Sequence, residues 1–331
     1  MVRHGAWGGL SALATTAQAV NSKRIPLLSL IALGLLALAI KGLVRVPAVQ
    51  QQALIQSLRS LLGWLPVLYG LVALSYAGRY WRWRLLLGRL GIGCTNWPDL
   101  LGWVGGFALT ATPAKVGELS RVQLLHEQLG YPRLPLLHVF IIERFSDAAA
   151  VALLLLVLIP NQLHDRIPSL SATWLLVMAL VATCALLLAR QPSFRRWLQT
   201  HWQRWRHHFP SDALAQGLLP ATLISVLVWA NEALVLWLLV QLLAPAPINV
   251  AAAITIYLLS GTAGMASSIP GGIGVNEAAT VLLLGQQGIP AAVALPIAVL
   301  RRLITLWSMV ALAAVIGLLP LPAGHPSRRH Y

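Results

Sequence analysis

Ser268-Ile-Pro-Gly-Gly-Ile-Gly-Val-Asn-Glu-Ala278 is the stretch on which the fold turns. It lies inside an apolar run, 249–287, that also holds Gly261 and Gly264. Proline removes an amide donor, and clustered glycines weaken a helix by about 1 kcal/mol each, so the run does not read as one clean helix. Non-helical backbone survives at membrane depth only where protein or water satisfies it. The run therefore reads as a re-entrant helix–loop–helix hairpin. A second run, 98–125, is built alike, with Gly105-Gly106 ahead of Pro113-Ala-Lys-Val-Gly-Glu118. Pro113 to Pro270, Gly117 to Gly274 and Arg144 to Arg301 are each 157 residues apart. Broken hydrophobic segments at corresponding places in two halves point to a transporter's binding site.

Composition fits that reading. Hydrophobic residues make up 58% of the 331-residue chain and charged ones 10%, where a soluble domain carries about a quarter charged. So little charge cannot cover a soluble surface of this size. A net charge of +15 reads as topology and contact with anionic lipid. Nucleic-acid binding is excluded, because no soluble domain gathers the basic residues. Cys94 and Cys184 lie far apart and suggest neither a disulfide framework nor a metal site.

A bilayer core of ~30 Å takes about 20 apolar residues of helix. Runs at 25–44, 61–79, 134–160, 170–190, 214–242 and 291–318 meet that length. The fold class is all-α: a polytopic integral membrane protein of about six transmembrane helices plus two re-entrant hairpins in an inverted repeat. Residues 1–24 and 319–331 read as cytoplasmic tails around a membrane domain at 25–318. With a cytoplasmic N-terminus the inside segments hold 17 Lys/Arg, and the outside loops hold four (Lys41, Arg45, Arg59, Arg166). That is the bias the positive-inside rule expects, and it makes the two hairpins enter from opposite sides.

Of nine acidic residues, Glu118, Glu143, Asp147, Glu232 and Glu277 fall at or near membrane depth, as do the bases Lys115, Arg144, Arg301 and Arg302. Each costs about 2.5–3.5 kcal/mol near a helix centre, so they must pair or line a wet cavity. Glu143, Arg144 and Asp147 share one helix face and can form internal salt bridges that hold the bundle together. Arg301 and Arg302 have no acid on their own span. Their neutraliser is Glu277, Glu232 or a ligand anion, and phosphate suits the guanidinium fork. Asn276 reads as an N-cap after the glycine loop, whose amides can face an anion. Glu118 and Glu277 suit a cationic headgroup, a proton, or the arginines themselves. Two stretches mix tryptophan with arginine: Gly78-Arg-Tyr-Trp-Arg-Trp-Arg-Leu-Leu-Leu-Gly-Arg89 and Arg195-Arg-Trp-Leu-Gln-Thr-His-Trp-Gln-Arg-Trp-Arg206. Both read as interfacial anchors. No Ser/His/Asp arrangement, nucleotide loop or metal cluster is recognisable, and no cofactor is expected.

Five motifs taken together carry a resemblance: Trp81-Arg-Trp-Arg-Leu-Leu-Leu87, Pro113-Ala-Lys-Val-Gly-Glu-Leu-Ser-Arg121, Glu143-Arg-Phe-Ser-Asp147, Ile269-Pro-Gly-Gly-Ile-Gly-Val-Asn-Glu277 and Leu300-Arg-Arg-Leu-Ile-Thr305. Over roughly 25–318 the chain resembles the flippase-like transmembrane domain of bacterial lysylphosphatidylglycerol synthase/flippase (MprF). The resemblance implies movement of a phospholipid or lipid-linked headgroup between leaflets of the cytoplasmic membrane, not an enzyme. It marks Lys115, Gly117, Glu118, Arg121, Glu143, Arg144 and Asp147 in the first half. In the second it marks Pro270, Gly271, Gly272, Gly274, Glu277 and Arg301. Ala114-Lys115 departs from the Gly/Arg pairing the motif would carry. The chain stops soon after 318, so an aminoacyl-transfer domain and synthesis of a lysyl-lipid are not expected. Partners implied are a membrane phospholipid or lipid-linked substrate, a second copy of the chain, or envelope-synthesis enzymes. A membrane-embedded transferase with Glu118 or Glu277 as base, and a non-transporting scaffold, stay open as other classes.

Overall fold

The computed structural model describes residues 59–93, 96–112, 117–164 and 211–318, together with Gln52 and Gln56. The runs 25–44 and 170–190, both tails, Pro113, Lys115, Cys94, Cys184 and the 195–206 stretch lie outside the described residues.

Among the described residues the chain is helical throughout, with no strand. The helices are α1 (Leu65–Arg89), α2 (Asn96–Gly105), α3 (Ser120–Leu129), α4 (Arg133–His164), α5 (Ser211–Leu243), α6 (Val250–Ala266), α7 (Val275–Gln286), α8 (Ala291–Arg302) and α9 (Ser308–Leu318). Among the described residues three helical stretches are long and apolar enough to cross a membrane: Arg59–Arg89, Gln216–Leu243 and Ala291–Ile316. At about 1.5 Å per residue, the 32 residues of α4 are also long enough to span.

Both glycine runs break the helix as their composition requires. In the first, α2 passes into a 3-10 turn at Gly106–Leu109, and the chain resumes as α3. In the second, α6 ends at Ala266, a 3-10 turn covers Pro270–Gly272, and α7 restarts at Val275. α2 packs on α3, and α6 packs on α7, so each run folds back as a helical pair. The restart of α7 differs from expectation. Gly274 is the N-cap, and the Glu277 carboxylate reaches back to accept from the Gly274 amide at 2.8 Å. Asn276 sits inside the first turn, which frees its side chain for another partner.

The first span differs more. Its helix runs ten residues beyond 79, through the Trp/Arg stretch to Arg89. The buried positions Leu68, Val72, Ser75, Arg79, Arg82, Trp83, Leu86 and Leu87 continue one helical stripe without interruption. Trp81 and Arg84 are exposed, whereas Arg82 and Trp83 are buried and do not serve as interfacial anchors. Arg79, Arg82 and Arg121 are buried.

Among the described residues two larger hydrophobic cores form, with a smaller cluster at Ala150, Trp229 and Leu258; the first core surrounds the first break and also takes Ile273 of the second. Trp83, Trp103, Phe107, Leu136 and Val310 form the first. Leu68, Leu236, Ile256, Leu284 and Ile297 form the second. The breaks also meet each other. A β-carbon placed on Gly271 would lie 3.6 Å from the Ala111 β-carbon.

Gly272 shows why glycine is needed at that meeting. Its φ is +62°, and an added β-carbon would stand 2.9 Å from the Gly264 Cα and 3.0 Å from the Gly264 carbonyl oxygen. Neither backbone atom can yield. Gly272→Ala is expected to cost about 1–2 kcal/mol from the left-handed backbone, with packing strain in addition. Gly285→Ala, in open space on α7, is expected to cost nothing. Melting midpoints of the two purified variants check the contrast, and equal midpoints would refute the close packing at Gly264.

Candidate functional site

The buried charges divide into two centres of opposite character. The first is built on α1, α3, α4 and α5. Arg79 pairs with Glu232 at 2.7 Å and approaches Asp147 at 3.9 Å. Arg82 pairs with Asp147 at 2.5 Å and Glu143 at 3.5 Å, and donates to the Ser225 hydroxyl. Arg121 pairs with the other oxygen of Glu143. Arg144 bridges Glu118 and Asp147, each at 3.2 Å. Four arginines thus meet four carboxylates, and formal charge cancels. Arg82 and Glu143 are each 1% exposed, so the pairs carry a full desolvation cost that only this density of partners offsets.

Aromatic faces complete the first centre. The Arg121 guanidinium lies 4.4 Å from the centre of the Trp83 ring, and Arg79 lies 5.1 Å from Trp229. Trp229 also donates its indole N–H to Asp147 at 3.3 Å. A desolvated cation over tryptophan gains roughly 2 kcal/mol. That gain, together with its apolar neighbours, favours Trp83 in the interior. Internal salt bridging is what the geometry shows for Glu118, Glu143, Arg144 and Asp147.

The second centre is unbalanced. Arg302 is 3.4 Å from Glu277 and donates to the Gly271 carbonyl, so it ties the second break to α8. Arg301, 2% exposed, forms no ion pair among the described residues. Its terminal nitrogens donate to the Ser260 hydroxyl at 3.2 Å and to the Asn276 carboxamide oxygen, and its Nε has no partner among the described residues. The guanidinium lies 5.0 Å from the centre of the Tyr257 ring. Two arginines against one glutamate leave one positive charge in excess. Glu232, expected as a possible neutraliser, is instead engaged by Arg79 and by the Tyr257 hydroxyl at 2.9 Å.

Arg301 faces a cavity of about 110 Å³ at the junction of the two breaks. Thr110 and Thr112 line it from the first break, and Gly271 and Gly272 from the second; Trp229, Tyr257, Asn276 and Thr305 close it. Thr112 is held in place by donating to the Leu109 carbonyl at 2.8 Å while accepting from the Gly117 amide at 2.7 Å. A β-carbon on Gly117 would fall 2.5 Å from the Leu109 carbonyl oxygen, which accounts for glycine there. Directly after Arg302 the helix takes a π turn over Leu303–Trp307, a feature frequent at functional sites.

Of the expected site residues, the structure gathers Gly271, Gly272 and Arg301 around the cavity. Glu118, Arg121, Glu143, Arg144 and Asp147 belong to the balanced network. Pro270, Gly274 and Glu277 shape and cap the second break. Arg79, Arg82, Ser225, Trp229, Tyr257, Ser260 and Asn276 complete the two centres and were not among the expected site residues. For Arg79 and Arg82 the signal was their place on the α1 stripe, three residues apart. For the rest no local signal stands out.

A sequence family described as the lysylphosphatidylglycerol synthase TM region matches residues 26–313. A UPF0104 membrane protein of Methanothermobacter thermautotrophicus is 33% identical over 95 residues, which are 29% of this chain and 28% of that protein.

Proposed function

Because the chain belongs to the lysylphosphatidylglycerol synthase TM region family, a multi-pass membrane family whose name ties it to membrane lipid, we propose that it moves a phosphate-bearing lipid headgroup between leaflets. One observation carries this reading: a buried arginine with no carboxylate partner among the described residues, facing a cavity where two broken helices meet. A lone buried cation is costly unless an anion joins it. Two of its five N–H donors are engaged, which leaves others to donate to phosphate oxygens. Threonine, tyrosine and asparagine groups around it offer further hydrogen bonds to a headgroup.

In this mechanism the headgroup crosses through the polar junction while the acyl chains stay in the bilayer. The paired breaks act as re-entrant hairpins from opposite faces, an inverted repeat whose halves are chemically unequal. The first half is neutralised internally and holds the frame. The second half carries the surplus charge and the ligand. The protein acts as a carrier, with no covalent step, in a bacterial cytoplasmic membrane with both termini inside.

Reconstituted protein tests this in vesicles holding a fluorescent phosphatidylglycerol in the inner leaflet. Wild-type protein is expected to speed its appearance outside about tenfold or more over a phosphate-free diacylglycerol of equal chain length, the ratio one charge-assisted hydrogen bond gives. Equal acceleration of both lipids would overturn the headgroup reading. A mass change in the lipid would favour the transferase class instead.

A further inference from the structure

We propose that the groove between α1, α2 and α9 seats one acyl chain of the phospholipid whose phosphate is held at Arg301, which rests on that reading of Arg301. The groove measures about 570 Å³ and its lining is almost wholly apolar. Clefts that hold small ligands run to ~300–1,000 Å³.

Its shape comes from α1. Ala73 and Ala77 are exposed and stand four residues apart on one helix face, beside the bulkier Tyr76. The alanines keep that wall low where a larger residue would fill the space. Trp103 of α2 and Met309 of α9, both buried, form the floor, and Leu312, 51% exposed, leaves the far wall open to the side. The opening faces outward from the helices, where acyl chains lie in a membrane.

The groove also lies close along the chain to the charged cavity, although the two share no lining residue. Thr305 and Leu306 line the cavity, while Ser308, Met309 and Leu312 line the groove. The two linings follow each other along α9 and the turn before it, one to two helical turns apart, or ~5–10 Å. On the other side, Trp103 and Val104 of the groove precede Thr110 of the cavity in the same broken segment. A phosphate at Arg301 therefore has apolar walls within reach of its glycerol ester.

A chain leaving the bilayer for this groove gains little, because lipid is as apolar as the groove. Its role is positional. It orients the lipid with the headgroup toward the junction, so the mark of occupancy is where the chain lies and not how tightly lipid binds.

The test uses full-length protein in vesicles containing phosphatidylglycerol with a photoactivatable diazirine in one acyl chain, with peptides mapped by mass spectrometry after irradiation. Labelling at Ala73, Ala77 and Leu312 is expected to exceed that at Leu219 and Leu227 of α5, which are 70% and 71% exposed outside the groove. A diacylglycerol probe, or Arg301→Gln protein, is expected to lower groove labelling about tenfold, the ratio of one charge-assisted hydrogen bond. Ala77→Trp fills the groove and is expected to abolish the label. Ala73→Leu, a milder filling, guards against a misfolded variant, and elution and melting of both are compared with wild type. A second probe carries the diazirine beside the phosphate. If that probe labels the Arg301 cavity while chain labelling matches Leu219 and Leu227, the groove proposal falls and the headgroup reading stands. If neither probe enriches anywhere in wild-type protein, both fall.

Discussion

Arg301→Gln is expected to lose phosphatidylglycerol translocation by roughly 10- to 100-fold while the protein melts at an unchanged or higher temperature. The two halves of that result come from one physical fact. Arg301 is buried and has no carboxylate partner among the described residues. A cation in that state destabilises the empty protein, so removing it relieves a desolvation cost. The same cation supplies charge-assisted hydrogen bonds worth about 1.5–3 kcal/mol each to an anion, which is where the loss of transport comes from. Arg301→Lys keeps the charge but gives up the planar fork, and is expected to fall between the two. Arg302→Gln is the contrast. Arg302 ties Glu277 and the Gly271 carbonyl together, so its loss is expected to lower the melting temperature. Translocation rates in vesicles and melting curves of the same preparations check all three. A folded Arg301→Gln protein that moves lipid at the wild-type rate would falsify the assignment of the anion to Arg301.

The glycine runs were legible because their signal is local. Pro270, Gly271, Gly272 and Gly274 cannot sit in one regular helix, and the break falls where they do. The helices at Arg133–His164 and Ser211–Leu243 follow from long apolar runs and differ from expectation by a few residues at their ends. The apolar run that predicts α1 ends at 79, because hydropathy falls where Arg79 and Arg82 begin. The helical stripe through Leu68, Val72, Arg79, Arg82 and Leu86 carries on past that point. Periodicity was the better guide there, since a paired arginine can occupy a core position as leucine does.

The partners themselves were not legible. Arg79 finds Glu232 across 153 residues of chain, and no spacing rule reaches that far. The inequality of the two halves, by contrast, could be read in advance. At the 157-residue offset that aligns Arg144 with Arg301, Glu118, Glu143 and Asp147 correspond to Val275, Leu300 and Ile304. At that offset the second stretch keeps the arginine and lacks the three acids that surround Arg144. Arg144 is neutralised because its half retains those acids, and Arg301 is not because its half lacks them.

The acids of the first half make a second large effect predictable. Arg82→Met is expected to destabilise the protein by about 3–5 kcal/mol, the range for removing one partner of a buried ion pair. Arg82 holds both Asp147 and Glu143 and reaches Ser225 on α5, so its removal leaves a net negative charge between α1, α4 and α5. Methionine keeps much of the side-chain volume, which makes charge and not a cavity the main term. Asp147→Asn on its own leaves the opposite surplus, with Arg79, Arg82 and Arg144 short of a carboxylate, and is also expected to destabilise. The double variant Arg82→Met/Asp147→Asn restores neutrality and is expected to regain a substantial part of the loss. That recovery, measured as a coupling in a double-mutant cycle of unfolding free energies, separates pairing from simple loss of packing. If the double variant is as unstable as the two single losses added together, the four-arginine, four-carboxylate network is not what binds α1 to α4 and α5. Its charge balance would then be incidental to the fold.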